Sequence, residues 1–101
     1  MNNQTLTALK ASIKKWEKNA SSSKWTLIKT GPEDCPLCEL FIGKNCVGCP
    51  ISKKTGYSFC IKTPYDKADD FANLKNLSAF KVAALEEVTF LKSLLPDEET
   101  T

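Results

Sequence analysis

The residues best equipped for chemistry are five cysteines, Cys35, Cys38, Cys46, Cys49 and Cys60, spaced C-x2-C-x7-C-x2-C-x10-C. Two residues between sulfurs let one tight turn aim both thiolates at a single ion. Two such turns complete a tetrahedral all-sulfur shell, so the pattern predicts a zinc site. Pro36, Gly48 and Pro50 suit the bends, because proline fixes φ and glycine frees it. Four ligands suffice and five are offered. The simple set is Cys35, Cys38, Cys46 and Cys49; the alternative keeps Cys35 and Cys38 and joins one of Cys46 or Cys49 to Cys60. With no histidine in the chain, the shell is all-thiolate unless a carboxylate enters it.

Other uses of these sulfurs fit less well. Disulfides need an oxidising compartment; the polar stretch Met1 to Thr5 is no secretion signal, and an odd count leaves one thiol over. The spacing matches neither common ferredoxin run. A thiol–disulfide redox protein is the sharper rival, since Cys35-Pro36-Leu37-Cys38 resembles the CPxC dithiol of glutaredoxins. That motif follows a strand and opens a helix in a βαβ fold, whereas only a weak extended segment precedes it here.

Absences narrow the function further. Without histidine there is no Ser/His or Cys/His nucleophile pair and no imidazole base. Asp69/Asp70 and Glu86/Glu87 are adjacent pairs, which diverge on a helix, and read as solvated faces or dipole complements. All 14 basic residues are lysine, so the planar fork that grips phosphate and guanine is missing. No apolar run is long enough to cross a membrane. No catalytic residue is identified, and an enzyme is not expected.

The elements that must position the cysteines follow from periodicity. The 101 residues allow one domain, residues 1–101. Leu6, Leu9, Ile13, Trp16 and Ala20 line one face of a helix over residues 1–22, capped by Thr5 or Asn3 and stopped by Ser21-Ser22-Ser23. Lys10, Lys14 and Lys18 form a separate stripe. Residues 33–65 are rich in turn formers and admit no helix beyond about two turns. Within them Glu39 to Ile42 fits one helical turn, and Tyr57, Phe59 and Ile61 alternate as in a strand, with Cys60 on the other face. Residues 66–96 return to helix, with Asp66 capping the first and Ser78 the second after a break near Asn76. Leu77, Phe80, Ala84, Val88, Leu91 and Leu95 form the stripe of the second, Pro96 ends it, and residues 97–101 are a polar tail. Residues 1–30 carry six lysines against Glu17, and residues 66–101 carry four against eight acids. The outer helices are therefore complementary in charge as well as in apolar stripe, and pairing of the two is expected. The expected fold is mainly α, a small α+β arrangement: N- and C-terminal helices packed on a central zinc-knuckle region with at most a short β-hairpin. Trp16 and Trp25 are expected to seal the junction of helix and knuckle.

The string Cys35-Pro-Leu-Cys38, Phe41, Cys46-Val-Gly-Cys49-Pro50, Thr55-Gly56, Cys60, Thr63-Pro64-Tyr65 resembles short phage-encoded cysteine-rich proteins of unknown function that share a CxLCxxF…CxGCP…TG…C…TPY pattern. Their closing helix resembles Ala84 to Pro96. The resemblance implies a phage protein in the host cytosol, includes Cys60 in the pattern, and implies no activity. With the missing catalytic chemistry, it leads to the expectation of a small zinc-binding interaction module that binds and modulates a host protein, such as a defence or nucleic-acid-processing factor. The alternative is a single-stranded nucleic-acid-binding knuckle. It would use Phe41, Tyr57, Phe59 and Tyr65 for stacking, and Lys44, Lys53, Lys54 and Lys62 for phosphates.

Overall fold

The computed structural model describes residues 2–23, 28, 36–41, 43, 47–56 and 63–96. Among them are five helices and no strand: α1 (Asn3–Ser21), α2 (Pro36–Phe41), α3 (Pro50–Thr55), α4 (Pro64–Asn73) and α5 (Leu77–Lys92). None is long and apolar enough to cross a membrane. The strand expected over Tyr57 to Ile61 and the tail at 97–101 lie outside the described residues, as does Trp25.

The helix starts correct the sequence reading at every long helix. Asn2, not Thr5 or Asn3, caps α1: its Oδ1 accepts the Thr5 backbone N–H at 2.7 Å. Thr63, not Asp66, caps α4, its Oγ1 accepting the Tyr65 N–H at 3.2 Å while Pro64 takes the first helical position. Proline suits that position because its fixed φ is helical and the missing N–H has no partner to lose. Asp66 sits instead in the first turn, where its charge favours the helix dipole. Asn76, not Ser78, caps α5 through the Ala79 N–H at 3.2 Å.

Asn76 also closes α4. Its N–H reaches the Phe71 carbonyl at 3.0 Å and the Lys75 N–H reaches that of Ala72 at 3.1 Å, with Lys75 left-handed at φ 56°. This is a Schellman closure with lysine where glycine is usual. At the far end, α5 stops at Lys92 rather than running to Pro96, and two turn hydrogen bonds carry the chain through Leu94 and Leu95.

The core forms where α1 and α4 pack on α5, as the complementary outer stripes predict. Leu9, Ile13, Trp16 and Ala20 from α1 meet Phe80, Ala83, Ala84, Val88 and Leu91 from α5, with Ala68 from α4. Trp16 is the joint of this frame. Its ring lies edge-on to Tyr65 at 5.8 Å and tilted to Phe80 at 6.2 Å, joining α1 to α4 and α5. The indole thus serves the junction of the three long helices; the bulky partners it needs are on α4 and α5.

Charge contributes less. Lys67–Glu86 at 3.2 Å links α4 to α5, and Lys92–Glu17 at 3.7 Å links α5 to α1. Both pairs are exposed, and such pairs contribute about 0–1 kcal/mol. The α1–α5 pair runs opposite to the net charges of its segments, so the apolar stripes, not the lysine stripe, join these helices.

Candidate metal centre

Each Cys-Pro step leads into a six-residue helix. Cys35-Pro36 precedes α2 and Cys49-Pro50 precedes α3, with Pro50 at the helix start and Cys49 in the capping position. Pro36 and Pro50 thus stand at the first positions of these helices. The glycine does shape its turn. Val47 and Gly48 form the bend of Cys46-Val-Gly-Cys49, and Gly48 has φ +91°, which side chains on a Cβ rarely tolerate.

The two motifs are neighbours. A Cβ on Gly48 would lie 3.3 Å from Phe41 Cε1, so the ring that ends α2 packs on the second CxxC turn. Cys49 is buried at 6% exposure among core residues, and its carbonyl accepts the Lys53 N–H at 3.0 Å. Leu37, between the first two cysteines, and Ile51, after the last of the four, are also buried and join the same core. α2 packs on α1, which ties this cysteine region to the frame.

Of the predicted ligands, Cys49 is described in full and Cys38 lies within α2; Cys35, Cys46 and Cys60 fall outside the described residues. Among the described residues, no group of three or more His, Cys, Asp or Glu side chains is gathered around one point. Of the residues named for nucleic-acid contact, Lys53 and Lys54 are exposed in the last turn of α3. Tyr65 is half-buried with its ring against Trp16, and Phe41 is half-buried against Gly48. Lys44, Tyr57, Phe59 and Lys62 lie outside the described residues.

Two features escaped the sequence reading. The first is the fate of the adjacent acids. Glu86 is solvated and pairs with Lys67, but Glu87 is 2% exposed, within the buried face of α5. Its position, three after Ala84 and four before Leu91, was the available signal. The second is a groove of ≈ 380 Å³ lined by Asn2, Thr5, Phe41, Gly48, Pro50 and Lys53. It joins the start of α1, the end of α2, the second CxxC turn and α3. Sequence periodicity carries no sign of it, because its walls come from four separate segments. Comparison with protein-family models, with curated proteins and with solved structures finds no match for this chain.

Proposed function

We propose that this chain is a non-enzymatic interaction module of a phage, stapled by one Zn2+, that binds and modulates a host protein in the host cytosol. The observation that carries the metal reading is the packing of Phe41 on Gly48. It brings the helix holding Cys38 against the turn that ends in buried Cys49. Cys35, Cys38, Cys46 and Cys49 would hold the ion, with Cys60 the alternative to one of the last pair. Four thiolates make a closed shell with no position for a reacting water, so the ion supplies structure and not hydrolysis.

The non-enzymatic reading is supported by the lack of histidine and by diverging acids, one solvated and one in the core. Interaction is what remains for a small helical frame with an open groove beside its cysteines.

The test is elemental analysis of purified full-length protein, with thiol counting before and after a chelator. One zinc per chain and four thiols that react only after chelation are expected. Metal-free reduced protein with an unchanged amide spectrum around α2 and α3 overturns the reading. Capture from host lysate tests the module itself, and recovery of no partner above background overturns it.

A further inference from the structure

We propose that the groove between α1, α2 and α3 is the contact surface of this module, and that it takes an acidic peptide segment carrying one bulky apolar side chain. The inference rests on the interaction-module reading and names the chemistry of its partner.

The apolar part of the described lining is Phe41, Pro50 and Gly48. Its volume, ≈ 380 Å³, lies at the lower end of the range of about 300–1,000 Å³ that holds discrete ligands. It therefore accommodates a side chain and its flanking backbone rather than a domain surface. The rest of the described lining is polar. Thr5 is buried, Asn2 is exposed, and Lys53 is the one charged residue among the described lining.

Among the described residues, two features favour negative charge at the groove. Lys53, exposed in the last turn of α3, lines it. The start of α1 borders the groove and has no acidic residue in its first turn to offset the positive end of the helix dipole. No carboxylate is among the described lining residues. Charge complementarity thus selects an acidic partner segment, and the apolar lining selects a bulky side chain within it.

A single-stranded nucleic acid fits less well. Stacking on successive bases needs several open rings, and Tyr65 is engaged with Trp16. One lysine at the groove and no arginine in the chain offer little purchase on a phosphate backbone.

The test is an amide-resolved NMR titration of the full chain with three probes. These are the peptide acetyl-Asp-Asp-Phe-Asp-amide, its neutral counterpart acetyl-Asn-Asn-Phe-Asn-amide, and a thymidine oligonucleotide. The acidic peptide should shift the amides of Thr5, Gly48 and Lys53, and its affinity should fall with salt. Lys53→Glu should weaken it about tenfold, as reversal of an exposed rim charge does without disturbing the fold. Asn2→Asp keeps the α1 cap but adds a negative charge at the rim, and should weaken it too. No shift at millimolar peptide, equal binding of the neutral peptide, or stronger shifts from the oligonucleotide overturns the proposal. Lysate capture separates the two readings. A partner held by wild type and lost in Lys53→Glu supports the groove. A partner that Lys53→Glu retains overturns the groove and leaves the module standing, and no partner from wild type overturns the module.

Discussion

Gly48→Ala tests whether the cysteine turn is tied to the proposed zinc ion. The backbone term is set by φ +91°, where an L-residue costs about 1–2 kcal/mol. Alanine offsets about 0.4–1 kcal/mol of that by restricting the unfolded chain. The new Cβ also meets Phe41 Cε1 at 3.3 Å, so a half-buried ring must give way by a few tenths of an ångström. The net loss is about 1–2 kcal/mol, which is about 5–10 °C in Tm for a chain of this length. Gly56→Ala is the control. Its φ is +77° and a Cβ there has no heavy atom within 4 Å, so only the backbone term acts, about 1 kcal/mol. If the Val47-Gly48 turn presents Cys46 and Cys49 to zinc, the bound state must keep the strain while the metal-free state can relax it. Zinc affinity, measured by competition with a chromophoric chelator, should then fall about 5–30-fold in Gly48→Ala and stay near wild type in Gly56→Ala. Equal affinities in the two variants, or wild-type affinity in Gly48→Ala, would refute the coupling of this turn to the metal.

Four further outcomes are expected. Lys75→Gly should raise the urea midpoint, worth about 0.5–1 kcal/mol, because glycine takes the left-handed closure of α4 without a Cβ penalty; a lowered midpoint contradicts that closure. Ser12→Ala should stabilise by about 1–2 kcal/mol, since the Ser12 Oγ is buried without a hydrogen-bond partner among the described residues and alanine favours helix; calorimetry showing a loss sinks this account. Phe80→Ala should cost about 3–5 kcal/mol and collapse the near-ultraviolet dichroism of Trp16, whose ring packs on it; a loss below about 1 kcal/mol removes Phe80 from the centre of the core. Chelation should leave the far-ultraviolet helical signal of α1, α4 and α5 largely intact while amide exchange rises in α2 and α3, and unchanged exchange there argues against a metal staple.

The long helices were legible because their signal is local and repeated. Leu9, Ile13, Trp16 and Ala20, and Phe80, Ala84, Val88 and Leu91, are buried as their spacing requires. Their starts were misread for one recurring reason. Several polar residues stand near each start, and the choice among them depends on which side chain the fold leaves beside an open backbone N–H. Asn2 and Asn76 won over Thr5 and Ser78, and Thr63 won because Pro64 could follow it as the first helical residue. α3 was missed because its six residues are too few to show a period, and proline and lysine masked it. Glu87 was read as solvated from its type although its position lay on the core stripe. The cysteine spacing was plain from the start. The contact that makes it a structural argument, Phe41 on Gly48, joins residues on two different motifs, and no period connects them.

The two halves of this molecule are held by different physics. α1, α4 and α5 are long enough to present continuous apolar faces, and Trp16 locks the three together through Tyr65 and Phe80. Such a frame needs no ion. α2 and α3 have six residues each, far below the length of about 12–15 at which an isolated helix becomes even marginal in water. Among the described residues each adds one fully buried apolar side chain to the core, Leu37 from one and Ile51 from the other. Short helices with few anchors need a constraint that acts between them, and both Cys-Pro steps stand where such a constraint would attach. The groove lies across this boundary, with Asn2 and Thr5 from the frame and Phe41, Gly48, Pro50 and Lys53 from the cysteine region. Its shape therefore depends on how firmly the short helices are held against the long ones. If zinc supplies that constraint, as proposed, it is a condition for recognition at the groove rather than a participant in it.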